Sequence, residues 1–177
     1  NAPWETATSL PYLAGERDIA GPNHAYTDSA SSATSLMAGI KTYNAAINMD
    51  PRGQKVETIA QQLQARGWSV GAVTSVPVSH ATPAASYAHN VHRSDYQDLT
   101  RDLLGLPSVT HPDRPLSGLD VLIGTGAGSE TQESSDQGAN FVPGNIYLTQ
   151  KDLEAIDVRK GGRYVVAARS KNQEGWE

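Results

Sequence analysis

A serine at the head of a run of very small residues is the first feature of this sequence that could do chemistry. Ser29 follows Thr27 and Asp28 and precedes Ala30, Ser31, Ser32 and Ala33. Side chains of that size leave the first backbone N–H groups of a helix uncovered. An uncovered helix N-terminus offers donors and the positive end of the dipole to an anion. A hydroxyl there is positioned to attack a phosphoryl group held by the same donors. An ordinary Asp or Ser N-cap accounts for the same residues, and Asp28 carries the same two readings.

Three further groups invite the same question. His80-Ala81-Thr82-Pro83 follows an apolar run that reads as a strand, and in open α/β sheets ligands gather beyond the carboxyl ends of strands. An imidazole is a good metal ligand and a threonine hydroxyl suits a hard cation such as Mg²⁺. A plain cap for Thr82 and a surface position for His80 are the alternatives. Arg93 presents a planar fork that fits two phosphate oxygens; as the last residue of a helix it is equally a cation favourably placed on the dipole. His89 and His92, three apart, could share a metal, but no third ligand is evident and they read as packing or helix-surface residues. Gly124-Thr125-Gly126-Ala127-Gly128 after a strand is neither G-x-G-x-x-G nor a P-loop and reads as a tight loop.

The elements that must position these groups follow from periodicity and punctuation. Residues 1–26, with Pro3, Pro11, Gly15, Gly21 and Pro22, read as irregular. A short helix is expected over 30–38, stopped by Gly39. Residues 40–48 read as a weak strand or extended loop. Val56, Ile59, Ala60 and Leu63 predict a helix over about 55–66 ending at Gly67. A short buried strand follows over 68–75. Thr82 as N-cap and Pro83 at the first helical position predict a helix running to about His92. Another helix is expected over Asp95–Leu104 and a second buried strand over Leu119–Ile123. Thr149 caps a helix over about 150–157, and Arg163–Ala168 reads as a third strand. This order argues for an α/β sheet with parallel strands and flanking helices, without a linker dividing two domains.

Composition sets outer bounds. The 177 residues carry 14 Lys+Arg against 19 Asp+Glu, a net charge of −5, with no basic run. A nucleic-acid partner is therefore not expected. No cysteine is present, which excludes disulfides, thiolate catalysis and Cys-based zinc sites. No apolar stretch is long enough to span a membrane as a helix. With 1 Phe and 3 Trp, the core must rely on small aliphatic residues. The start at Asn1-Ala2-Pro3-Trp4 lacks the basic flank and apolar run of a signal peptide and reads as an interior cut.

Taken together and in order, these signals resemble one family. The run Tyr26-Thr27-Asp28-Ser29-Ala30-Ser31-Ser32-Ala33-Thr34-Ser35 resembles the nucleophile motif of the alkaline phosphatases. Gly39-Ile40-Lys41-Thr42-Tyr43-Asn44-Ala45-Ala46-Ile47 is similar to that family's next block. His80-Ala81-Thr82-Pro83-Ala84-Ala85-Ser86-Tyr87-Ala88-His89 with Arg93 is similar to its magnesium and phosphate block, and Asp120-Val121-Leu122-Ile123-Gly124 resembles a later strand. The likeness runs in register over 26–128 and more loosely to 168, so 27–168 is expected to be part of an alkaline-phosphatase-like catalytic domain.

The resemblance implies hydrolysis of phosphate monoesters with two zinc ions and one magnesium. It implies Ser29 as the nucleophile of a phosphoserine intermediate and as a zinc ligand. Arg93 would clamp phosphate, Asp28 would hold Arg93, and Thr82 would ligate magnesium. His80 falls where family members vary between Asp and His near the third metal. A phosphate monoester or inorganic phosphate is the implied partner, a homodimer is left open, and the implied location is periplasmic or extracellular. The family takes most of its zinc ligands from outside this stretch. Residues 129–177 hold no histidine, and Asp136, Asp152 and Asp157 lack a matching spacing. The chain is therefore expected to be a fragment with little or no turnover by itself. A non-catalytic phosphate-binding module is the alternative. A serine hydrolase using His80 or His92 as base lacks the G-x-S-x-G elbow, and for a sulfatase-like enzyme the block after Ser29 is the wrong one.

Overall fold

The structure is a computed structural model that describes residues 27–131 and 137–167. The expected irregular segment 1–26, Asp136 and Ala168 lie outside the described residues.

Helix α1 spans Ser29–Ala38. Asp28 is its N-cap, accepting from the Ser31 N–H at 2.9 Å. Gly39 ends it in the left-handed conformation, φ 70°, and returns its N–H to Ser35 O. Glycine reaches that region without a Cβ penalty, so the chain turns out of the helix there. Helix α2, Ile59–Gln64, is shorter than expected. A reciprocal capping box between Thr58 and Gln61 starts it, so Val56 falls before the helix and donates its N–H to Asn48 O instead.

Strand β1, Gly71–Pro77, pairs in parallel with β2, Val121–Thr125, through Gly71↔Val121, Ala72↔Leu122 and Val73↔Ile123. Both strands lie about two residues later than periodicity suggested. Leu119 is buried but outside the strand, its N–H spent on Leu103 O at 2.8 Å. The expectation of two buried strands is corrected. Ala72 and Leu122 pack against the core, whereas Val73, Val121 and Ile123 are 75%, 49% and 51% exposed. Side chains alternate across a strand, and among the described residues helices cover one face of this pair only.

Between the strands lie helix α3, Ala81–Ala84, and helix α4, Tyr96–Leu104. The expected helix to His92 is cut to four residues. His80, not Thr82, is its N-cap, without a side-chain capping bond. Its length is set by tertiary bonds. Asn48 Nδ2 donates to both Ala85 O and Ala88 O at 2.8 Å, and Asn90 joins an isolated bridge with Ile47. Arg93 consequently sits in a turn and not at a helix end.

A short antiparallel pair, β3 (Glu130–Thr131) and β4 (Gly144–Asn145), follows. Helix α5, Gln150–Ile156, is capped by Thr149 as expected, and a 3-10 turn covers Val158–Lys160. The third strand is not formed among the described residues. Tyr164 makes one isolated parallel bridge with Asp157, and Val165 is 87% exposed with no neighbouring strand to cover it.

The fold is thus α/β, with a parallel strand pair and flanking helices. Its core is built on Ala30, Ala33, Ala81, Ala84, Ala85 and Ala88 around Ile47, Tyr87, Leu99, Leu103 and Leu119. Alanine at the contacts lets α1 and α3, the two helices that carry the candidate site, approach closely. Among the described residues no helix is long and apolar enough to cross a membrane.

Candidate functional site

The N-terminus of α1 organises the site. As N-cap, Asp28 is fixed through one carboxylate oxygen: Oδ1 accepts from the Ser31 N–H at 2.9 Å and from Ser31 Oγ at 2.8 Å. Its other oxygen, Oδ2, accepts from the Ala45 N–H at 3.0 Å and from Arg93 Nη1 at 3.1 Å. The same Arg93 Nη1 lies 2.6 Å from Ser29 Oγ and donates to it. Ser29, in the first helical position, is exposed. The structure therefore brings Asp28, Ser29 and Arg93 together from segments 64 and 65 residues apart.

Support comes from a segment whose role spacing does not reveal. Asn44 Oδ1 accepts from the Asp28 N–H at 3.1 Å and from Ser31 Oγ at 3.1 Å. Ala45 adopts φ 73°, a conformation that costs a non-glycine residue free energy and that accompanies the delivery of its N–H to Asp28. Only the likeness of 39–47 to a family block marks these residues in the sequence.

Arg93 makes all its hydrogen bonds to described residues through Nη1. Its Nη2 and Nε are left available to an anion, beside the positive end of α1.

Partial burial works against ionisation of Asp28. The Ser31 N–H and hydroxyl, Arg93 and the Ala45 N–H outweigh it and hold the carboxyl below its ordinary value of 3.8. A depressed folded-state value contributes stability that is complete above 3.8 and is lost as pH falls through the lowered value. Asp28→Asn keeps a good N-cap and removes the charge. The wild type is expected to lose stability more steeply than this variant as pH falls below 3.8; urea midpoints at and below that pH measure the difference. Parallel curves would mean that the Asp28–Arg93 pair contributes nothing.

His80 and Thr82 stand at the carboxyl end of β1. The exposed Thr82 lies in the first turn of α3, and no hydrogen bond among the described residues joins it to Ser29 or Arg93. His80 packs between two rings that sequence reasoning did not connect with it, Tyr96 at 5.7 Å and Tyr147 at 5.6 Å. Its Nε2 is 3.4 Å from Tyr147 Oη. Burial, then the nearby Arg93 charge, lower its pKa, so its ring is neutral at neutral pH. Tyr147 reaches this position across Gly126, where a Cβ would stand 3.2 Å from the tyrosine ring. Gly126 is thus a packing position; of the expected tight loop 124–128, Gly124 and Thr125 belong to β2 instead and only 126–128 form the turn that follows it.

The remaining candidates separate from the site. Asp152 pairs with Arg101 and Asp157 with Arg159. His89 is buried, its Nε2 on Val56 O.

Zinc and magnesium can be tested against this donor set. Among the described residues the only group of three or more His, Asp or Glu side chains close enough to share an ion is His89, Asp102 and His111. No such group surrounds Ser29 or Thr82, and the Asp28 carboxylate is already engaged by four donors. The described residues do not form a zinc cage at Ser29 or a complete magnesium site at Thr82.

Comparison with known proteins gives a consistent result. The family model described as "Alkaline phosphatase" matches residues 5–174. Alkaline phosphatase 4 of Bacillus subtilis is 33% identical over 134 residues, covering 73% of this chain and 27% of that protein. Alkaline phosphatase H of Pseudomonas aeruginosa is 34% identical over 138 residues, covering 78% and 25%. Among solved structures, a cold-active alkaline phosphatase from a psychrophilic Shewanella matches 45% of this chain and 20% of its own, at 46% identity and a TM-score of 0.44. A TAB5 alkaline phosphatase variant with magnesium bound matches 44% and 22%, at 37% identity and a TM-score of 0.43. The chain spans about a quarter of the length of these curated relatives.

Proposed function

The chain belongs to the alkaline phosphatase family, and from that premise we propose that it is the nucleophile-bearing part of a periplasmic or extracellular phosphate-monoester hydrolase that works through a phosphoserine at Ser29. The observation that carries the reading is the pair of hydrogen bonds from one Arg93 nitrogen, to Ser29 Oγ at 2.6 Å and to Asp28 Oδ2 at 3.1 Å.

In this reading the phosphate occupies the α1 N-terminus. Arg93, aligned by Asp28, grips its oxygens. Phosphoryl transfer asks a protein chiefly for positioning and charge neutralisation, and both are supplied here by the guanidinium and the dipole. A bond forms between Ser29 Oγ and phosphorus as the bond to the ester oxygen breaks; the proton lost from Ser29 is balanced by one gained by the departing ester oxygen, which leaves as the alcohol. Water then hydrolyses the serine ester and releases inorganic phosphate. Thr82 would be a ligand toward magnesium, and His80, packed between Tyr96 and Tyr147, would lie toward the third metal position. Metal ions, which the family reading requires, would activate the nucleophile and the water. The described residues form no cage for them, so little or no turnover is expected from this chain alone.

Orthovanadate tests the proposal in the chain itself, because vanadium accepts a fifth oxygen as phosphorus does in the transition state. Analogues of that state bind more tightly than ground-state ligands. Vanadate is expected to bind at least roughly tenfold more tightly than phosphate to the wild type and to lose that advantage in Ser29→Ala. Equal affinities, or an advantage that survives Ser29→Ala, would favour a non-catalytic phosphate-binding module. Robust turnover of a phosphate monoester with Zn²⁺ and Mg²⁺, lost in Ser29→Ala, would overturn the expected inactivity of the chain and support the role of Ser29.

A further inference from the structure

One buried imidazole nitrogen has nothing to bond. His89 is 4% exposed, and its Nδ1 is buried without a hydrogen-bond partner. Its Nε2 is 3.0 Å from the carbonyl oxygen of Val56. A carbonyl only accepts, so Nε2 carries the ring hydrogen and Nδ1 is a bare lone pair.

Two more ligand-type groups from different segments lie beside this ring. The His111 ring lies 5.1 Å from that of His89, centre to centre. Fully buried Asp102, on α4, has Oδ1 3.0 Å from His111 Nδ1. One ligand atom from each of the three residues falls within 4.8 Å of the others.

We propose that His89, Asp102 and His111 form a binding site for a divalent transition-metal ion such as zinc, separate from the phosphate-binding residues. The donor set, two imidazoles and one carboxylate, is one that zinc accepts, with a water in the fourth position. Ligand atoms around tetrahedral zinc stand about 3.3 Å apart. Binding would draw the three ligand atoms, which lie within 4.8 Å of one another, closer together.

The surroundings support the ligands. The Val56 carbonyl orients His89 through its far nitrogen, the arrangement common for metal-bound histidines. Asp102 is held by the His89 N–H at 2.9 Å, Ser108 Oγ at 2.5 Å and Thr110 Oγ1 at 3.2 Å. Thr110 Oγ1 also lies 3.1 Å from His111 Nδ1. On binding, the ion takes the place of the hydrogen between His111 Nδ1 and Asp102, and that hydrogen moves through solvent to His111 Nε2. Lys55 Nζ, on Thr110 O at 2.6 Å, adds a positive charge nearby. That charge disfavours ions held by charge alone and leaves the site to one that bonds imidazole nitrogen. The ion would staple the segment 105–111 to α4 and to the segment that leads to Arg93.

The test uses the 177-residue chain and zinc, with calorimetry and NMR of the histidine ring protons. One zinc ion per chain is expected to bind more tightly than about 10 µM and to shift the His89 and His111 signals together. His111→Asn is expected to weaken binding at least roughly tenfold, the loss that even outer-shell partners of a metal can cause. Ser29→Ala, Thr82→Val and His80→Gln leave the affinity unchanged, which keeps this result distinct from that of the proposed phosphatase site. His111 is part-exposed, so its variant carries the test even if His89 variants fail to fold. Zinc that shifts only His24, His80 or His92, affinity unaltered in His111→Asn, or no binding below about 100 µM would each overturn the proposal.

Discussion

Arg93→Ala is expected to lower the affinity of this chain for inorganic phosphate by roughly 30- to 1,000-fold. Charge-assisted hydrogen bonds are individually worth about 1.5–3 kcal/mol. Losing two of them to a phosphate, discounted for a guanidinium that is 33% exposed, gives about 2–4 kcal/mol, which converts to that range. The variant also leaves Asp28 without its cation while the Ser31 and Ala45 bonds stay in place. The helix cap survives, so the folded state should change little, and loss of binding can be assigned to the anion contact. Arg93→Lys separates charge from shape. A lysine restores one positive charge, but a point-like ammonium cannot span Asp28, Ser29 and two phosphate oxygens as a planar fork can. Its affinity should fall between the other two. Calorimetry or phosphorus NMR gives the three constants, and an alanine variant that binds phosphate like the wild type would remove Arg93 from the site.

The second large effect concerns stability. Asn48→Ala is expected to destabilise the fold by about 3–8 kcal/mol, a large share of what a domain of this size has. Asn48 is fully buried. Its amide donates to Ala85 O and Ala88 O, and its own N–H reaches Thr34 Oγ1 at 2.9 Å. Alanine strands two carbonyls, each costing about 1–3 kcal/mol when left unsatisfied. It also places a Cβ-bearing residue without a compensating amide at φ 47°, where the left-handed conformation adds about 1–2 kcal/mol. Asn48→Gly relieves the backbone term and keeps the hydrogen-bond loss, so it should cost less than alanine. Urea unfolding of the two variants partitions the effect. Through Thr34 this residue ties α1 to the segment that follows α3, so the alanine variant should also weaken phosphate binding. A glycine variant as stable as the wild type would show that the two carbonyls need no partner.

What was legible in the sequence was what neighbouring residues decide among themselves. Asp28 next to small residues, Gly39 after them, Thr149 before α5 and the run Asp95–Leu104 all act within one or two helical turns. Each of these elements forms close to where local reading put it. The motifs at 26–35, 39–47 and 80–93 likewise marked the right family, because their residue types survive as strings. The failures share a cause of the opposite kind. The helix expected to reach His92 stops at Ala84, where Asn48, far away in sequence, takes the carbonyls of Ala85 and Ala88 just beyond its end. The strands read as buried are open on one side because burial depends on what stacks on a sheet, which alternation within a strand cannot report.

The candidate site divides the same way. By itself the sequence determined that Asp28 and Ser29 would begin a helix of small residues, and which family's motifs the chain carries. Those properties rest on side-chain size, backbone preference and short-range hydrogen bonds. Only the tertiary structure decided that one nitrogen of Arg93 meets both Asp28 and Ser29. It alone decided that Asn44 and Ala45 buttress the carboxylate, that Tyr147 packs on His80, and that His89 faces Asp102 and His111. These are contacts between distant segments. Their geometry is set by how helices and strands pack, and no spacing along the chain encodes it.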